Sequence, residues 1–187
     1  MDTTSENKRV QIHAETFVHT ASVLSGQLTF GEGCVIHPLA RIDAGDGEIV
    51  FGKNNIVEER AVIVNRLPGH RLVIGDENHF EVGATCFATA VGNRNVFGMQ
   101  STVGEHVQVA DGCVIGAKCE VREHGELPAQ TCVYGLENNR RKMGSMPPTL
   151  ELHSKFLAVE AAEVRVRLQK PRLISRPFPS CFILLDQ

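Results

Sequence analysis

From Val103 to Val121 the chain places an aliphatic residue at every sixth position, at Val103, Val109, Ile115 and Val121. Gly104, Ala110 and Gly116 follow the first three of these, and Val107, Cys113 and Cys119 sit two places before the last three. A period of six is neither the 3.6 of a helix nor the 2 of a strand. It is satisfied when short strands alternate with bends, three hexads close one triangular coil, and successive coils stack in register. The expected fold class is therefore all-β, a parallel β-helix of hexapeptide repeats.

The same beat begins at Ile12 and continues through Val18, Leu24, Phe30, Ile36 and Ile42. Extra residues within 44–48 delay it, and it resumes at Phe51, Val57 and Ile63. An excursion over 65–71 precedes Ile74, Phe80 and Cys86, one hexad is a residue short, and Val91 to Val133 repeats without a break. Sorting these positions by threes yields three apolar columns. Ile12, Phe30, Phe51, Ile74, Val91, Val109 and Leu127 form the first; Val18, Ile36, Val57, Phe80, Phe97, Ile115 and Val133 the second; Leu24, Ile42, Ile63, Cys86, Val103 and Val121 the third. Stacked coils should sit ~4.8 Å apart, so Phe80 and Phe97 are expected to touch within the core. Asn55, Asn78 and Asn95 lie two places before second-column residues in three successive coils. They are expected to take the left-handed backbone of a sharp bend and to stack their amides, a structural role. Crossovers between parallel strands are right-handed in nearly all folds, but the hexapeptide-repeat proteins, which this pattern resembles, form left-handed β-helices. About six to seven left-handed triangular coils are expected.

The repeat assigns a domain plan: a flexible polar leader over 1–9, the β-helix over 10–135, a linker over 136–148, a C-terminal α-helix over 149–170, and a tail of unassigned structure over 171–187. The helix rests on Leu157, Ala161, Val164 and Leu168 at i, i+4, i+7 and i+11, with Thr149 as N-cap and Pro171 as stop. It is expected to fold back onto a flat face of the β-helix or over its open end.

With a formal charge of -3 and a pI near 6.2, the chain has no global basic field to draw in nucleic acid. No apolar run approaches the ~20 residues that span a bilayer, so direct membrane insertion is not expected. Six cysteines occur without a C-x-x-C pair or a secretory apolar region, which reads as reduced, buried thiols in a cytosolic protein.

Two kinds of chemistry are tested by the register. The γ-class carbonic anhydrases, one enzymatic branch of the hexapeptide-repeat proteins, hold zinc with three histidines at fixed places in the repeat; the matching positions here are Val64, Val82 and Phe87. None carries a donor atom, so neither a metal nor another cofactor is expected. Acyl transfer needs a general base in a cleft between subunits. His13, His19 and His37 each follow a column residue, and His79, His106 and His124 are single, so all are read as imidazoles on solvent-facing corners, leaving no catalytic candidate. His19, His37, Glu58 and Glu81 follow second-column residues in consecutive coils and should form a vertical ladder, with His37 paired to Glu58 and Glu58 facing Glu81. With Glu59 beside them, they are the candidate partner contact. Reversing the charge of Glu58 and Glu81 is expected to weaken partner binding and leave stability nearly unchanged.

The segments IHPLARIDAGDGEIVFGKNNIVEERAVIVN (36–65), VIGDENHFEVG (73–83) and GCVIGAKCEV (112–121) resemble the dynactin subunit 6 family, a non-enzymatic branch of the hexapeptide-repeat fold. The I-H-P, I-V-E-E and F-E-V-G blocks carry most of the resemblance, which covers residues 10 to about 168. It implies a structural and adaptor subunit of the dynactin pointed-end complex, forming a heterodimer with dynactin subunit 5 beside dynactin subunit 4 and the pointed-end actin-related protein. Through these it implies indirect ties to dynein and membrane cargo in microtubule-based transport. The implied location is the cytoplasm and cytoskeleton, including centrosome and kinetochore. The family's Ser/Thr-containing tail is not seen after Pro171, so no phosphorylation-dependent role is carried over. The competing reading from the fold alone is a hexapeptide-repeat transferase or a divergent γ-anhydrase-like enzyme.

Overall fold

The computed structural model describes residues 10–144 together with the backbone of Arg172–Leu173. Within that span the chain is a three-sided parallel β-helix, and the three columns pair step by step in the expected order. The first face carries Ile12↔Phe30, Phe30↔Phe51, Phe51↔Ile74, Ile74↔Val91, Val91↔Val109 and Val109↔Leu127. The second runs Val18↔Ile36, Ile36↔Val57, Val57↔Phe80, Phe80↔Phe97, Phe97↔Ile115 and Ile115↔Val133. The third runs Leu24↔Ile42, Ile42↔Ile63, Ile63↔Cys86, Cys86↔Val103 and Val103↔Val121.

Because each column residue points into a narrow tube, it meets only its equivalents above and below and its partners across the triangle. Phe80 and Phe97 stack with ring centroids 4.3 Å apart and planes 10° apart, and Phe30 and Phe51 do the same at 4.8 Å. The close stacking demands small residues at the corners. A Cβ on Gly75 would lie 2.6 Å from the Gly92 carbonyl oxygen of the next coil, so no larger residue fits there without displacing backbone.

The Asn ladder is buried and bonded as expected, but the left-handed bend falls one residue earlier. Asn54, Glu77 and Arg94 have φ of 53°, 57° and 55°, while Asn55, Asn78 and Asn95 point inward. The Asn55 Oδ1 accepts from both the backbone N–H and the Nδ2 of Asn78, each at 3.0 Å; Asn78 Oδ1 accepts from Asn95 N–H at 2.9 Å, and Asn95 Oδ1 from Cys113 N–H at 2.7 Å. The amide nitrogens of Asn55 and Asn78 donate to the carbonyls of Gly75 and Gly92. The expectation placed both tasks on one residue. The backbone separates them: the preceding residue turns the corner, and the Asn that follows sends its side chain inward to its hydrogen-bond partners.

All irregularity in coil length gathers at the corner between the third and first faces. Gly26 bulges opposite Ala44–Gly47, because Ser25 pairs with Asp43 and Gln27 with Glu48, while residues 65–70 form a longer loop above them. The loop is braced from below by the buried Asn65, whose Nδ2 donates to the carbonyls of His70 and Glu48 and whose Oδ1 accepts from Leu67 N–H.

The ends are treated differently. Residues Asn139–Lys142 fold back antiparallel on Thr131–Tyr134, so the linker assigned to 136–148 begins with a strand. Arg172–Leu173 pairs in parallel with Val23–Leu24, which gives part of the tail a place on the first coil. The helix assigned to 149–170 and the leader over 1–9 lie outside the described residues. Cys34, Cys86, Cys113 and Cys119 are buried free thiols and Cys132 is a half-buried one; burial pushes the Cys86 thiol up to about 12.

Candidate functional site

The ladder on the second face exists, but its members pair differently from the expectation. His37 Nδ1 bonds Glu59 Oε1 at 3.0 Å, where Glu58 was expected, and Glu59 keeps 44% of its side chain exposed. Glu58 instead turns toward the next coil. Its Oε1 lies 2.6 Å from His79 Nε2, and its Oε2 accepts the Val82 N–H at 3.1 Å. His79 is 2% exposed and Glu58 13%. The expected surface imidazole is thus a buried partner, and the expected exposed carboxylate is a brace. Burial works against the charge of Glu58, but the hydrogen bond and positive field of His79, the more distant His37 and the Val82 N–H outweigh it and hold the carboxyl below its ordinary value. Glu81 does not confront Glu58 as a free charge, because its Oε2 accepts the Met99 N–H at 2.8 Å. His19 Nδ1 accepts the Ala21 N–H at 3.0 Å. These are structural contacts along one corner, with Glu59 its most outward carboxylate.

A carboxylate that orients an imidazole is also the geometry of a general base and its positioning group. Here Nε2, the nitrogen that would face a substrate, is the one bound to Glu58, and the ring is closed from solvent. The pair is built to hold two coils together.

The three positions that would carry zinc ligands in an anhydrase hold Val64, Val82 and Phe87, each half-buried. Over Phe87 lies the Arg66 guanidinium, 3.6 Å from the ring centroid, and its Nη1 bonds Glu105. A fixed cation stands at the place where a divalent metal would need anionic or neutral donors. Among the described residues, no three His, Cys, Asp or Glu side chains converge to hold a metal ion. The Arg66, Phe87 and Glu105 cluster went unread in the sequence, since its members come from three different coils; the 65–71 excursion was the available signal. His106 and His124, expected as single, lie on adjacent coils with ring centroids 4.9 Å apart. His70 Nε2 meets the Thr89 carbonyl oxygen at 2.8 Å and pins the long loop to the tube.

The repeat, the corner contacts and the donor-free positions can be set against known proteins. No protein-family model matches the chain. A hexapeptide transferase family protein from Anaplasma phagocytophilum superimposes with a TM-score of 0.55 at 14% identity, covering 85% of this chain and 93% of that one, a likeness of fold alone. Dynactin subunit 6 of Nematostella vectensis is 37% identical over 80% of this chain and 87% of its own length. Dynactin subunit 6 of Danio rerio is 36% identical over 80% of this chain and 83% of its own. At that identity, over more than four fifths of those proteins, the chain belongs to the dynactin subunit 6 family.

Proposed function

We propose that the chain is a non-enzymatic scaffold and adaptor subunit of the dynactin pointed-end complex. In this reading it pairs with dynactin subunit 5, sits beside subunit 4 and the actin-related protein of that end, and so supports dynein-driven transport and cargo attachment in the cytoplasm and on the cytoskeleton. The observation that carries it is the 37% identity shared with dynactin subunit 6 of Nematostella vectensis over 80% of the chain. Two features of the chain support the absence of chemistry: the zinc-ligand positions Val64, Val82 and Phe87 lack donors, and the imidazole best placed beside a carboxylate, His79, is closed from solvent. The corner bearing His19, His37, Glu59 and Glu81 is the proposed partner contact. Glu58 contributes to it only by fixing the corner, because its carboxylate is committed to His79 and Val82.

Affinity capture of the tagged full-length chain from cell extract, read by mass spectrometry, tests the assignment. Recovery of subunit 5 with other pointed-end components is expected. Intact, folded protein that captures none of them overturns it. A homotrimer by light scattering, together with acyl-transfer activity, would move the chain to the transferases whose fold it shares.

A further inference from the structure

Five histidines among the described residues commit a ring nitrogen to the β-helix. His13 and His19 each accept a backbone N–H through Nδ1, His37 meets Glu59, His70 meets the Thr89 carbonyl and His79 meets Glu58. His106 and His124 differ from all of these. Both are exposed, neither ring nitrogen of either residue is hydrogen-bonded within the described residues, and the two ring centroids lie 4.9 Å apart. Their planes are tilted by 54°, against 10° for Phe80 on Phe97, so the rings are not stacked on each other. Strand pairing brings them together instead. Val107, Gln108 and Val109 pair with Gly125, Glu126 and Leu127, and the Gly125 N–H donates to the His106 carbonyl at 3.1 Å.

We infer that His106 and His124 form a two-imidazole site for an exchangeable late first-row cation, of the Zn2+, Ni2+ and Cu2+ class, at the corner between the third and first faces. The geometry follows from bond lengths. A metal about 2.0–2.1 Å from an imidazole nitrogen stands roughly 3.2 Å from that ring's centroid, so bond angles of about 90–109° set two ligating rings roughly 4.5–5.2 Å apart. The observed 4.9 Å falls inside that range. The coil spacing therefore holds the two rings at chelating distance without any change of backbone. Neutral imidazole suits these ions, whereas Mg2+ and Ca2+ take oxygen ligands.

The carboxylates that precede the two histidines are engaged elsewhere, Glu105 by Arg66 and Glu123 by Arg140. A closed structural zinc centre takes four protein ligands. Here the chain supplies two and water supplies the rest, which makes the ion exchangeable rather than resident. The site shares no residue with Val64, Val82 and Phe87, and it stands apart from the dynactin reading. The two histidines are far apart in sequence and adjacent only in the coil, so the folded chain alone presents both to one ion. A bound ion therefore stabilises the fold by mass action, clamping Val107–Val109 to Gly125–Leu127 near the end of the tube.

Calorimetric titration of the tag-free full-length chain with Ni2+, in a reductant that is not a thiol, tests the inference. Saturation at one ion per chain is expected, with His106→Asn and His124→Ala each weakening the affinity by roughly ten-fold or more. Asn suits the left-handed backbone of residue 106, whose φ is 61°. His13→Ala should bind as the parent does. Saturating Ni2+ should raise the melting temperature of the parent and leave that of the double variant unchanged. No saturable binding by the parent overturns the inference, as does parent-like affinity in the double variant. A measurement on the parent alone removes any dependence on how the variants fold. Substoichiometric Cu2+ should broaden the ring-proton resonances of His106 and His124 before those of the other histidines, and broadening confined to other histidines overturns the inference as well.

Discussion

The first and second faces of this β-helix are made from the same repeat and differ in what lies on either side of the sheet. Inside, the first face lines the tube with single apolar residues, whereas the second adds a buried polar ladder through Asn55, Asn78 and Asn95. Outside, the first face shows Gln11, Val73, Gln108 and Glu126 to solvent, and the second excludes Val35, Ile56, His79 and Val96 from it. The second face is thus buried on both sides at these positions, and the first is a half-buried sheet of the ordinary kind. Substitutions on the second face should therefore cost stability on both of its sides, and those on the first only on the inner side.

The largest effect is expected inside the second face. Phe80→Ala removes one ring of the Phe80 and Phe97 stack and should lower the free energy of unfolding by about 3–5 kcal/mol in denaturant titration. A loss below about 1 kcal/mol would mean that the column can collapse and that the two faces do not differ in core rigidity. Asn78→Ala should follow, at about 2–4 kcal/mol, because it orphans the buried Asn95 N–H and the Gly92 carbonyl and leaves Asn55 Oδ1 with the residue-78 backbone N–H alone.

Glu58→Gln probes the outer corner of the same face and should cost about 2–3 kcal/mol by removing the charge partner of a buried imidazole. Its pH dependence has a definite sign. The carboxyl of Glu58 is held below its ordinary value of 4.5, so its contribution is fully present above that pH and is lost as the pH falls through the lowered value. Stability measured from pH 7 down to pH 3 should fall less steeply in Glu58→Gln than in the parent; identical acid limbs would break the assignment. The smallest effect belongs to the open face. Gln108→Ala should change stability by no more than about 0.5 kcal/mol, and a larger loss would show that this face too is covered.

The inward half of this contrast was legible in the sequence and the outward half was not. A tube this narrow favours apolar side chains at its column positions, so the hexad alone placed Phe80 against Phe97 and ordered Asn55, Asn78 and Asn95 two places before second-column residues. The outward positions obey no such rule. Val35, Ile56 and Val96 look like ordinary strand residues, and His79 looks like a surface imidazole, because whether they are buried depends on what packs over the sheet rather than on the repeat. The same reason explains the exchanged partners at the corner. Glu58 and Glu59 are adjacent, and only the burial of His79 decides which carboxylate turns inward and which meets His37. Charge reversal at Glu58, expected from the repeat alone to leave stability nearly unchanged, is for this reason predicted to lower it. The cluster of Arg66, Phe87 and Glu105 was hidden differently, since an excursion breaks the repeat and leaves no register from which to read its contacts.

The strand Asn139–Lys142 has a consequence for growth. Each coil of a parallel tube offers the next its template of backbone donors and acceptors, and an identical copy could accept that offer and extend the tube into a filament. On the second face, Asn139–Lys142 runs against the stacking direction and presents an exposed Asn-Arg-Arg-Lys edge that a parallel coil cannot continue. On the third face, the Glu120 N–H is already taken by the Asn138 Oδ1. Among the described residues, one short reversal thus caps the second face against parallel continuation and takes up a backbone donor at the end of the third.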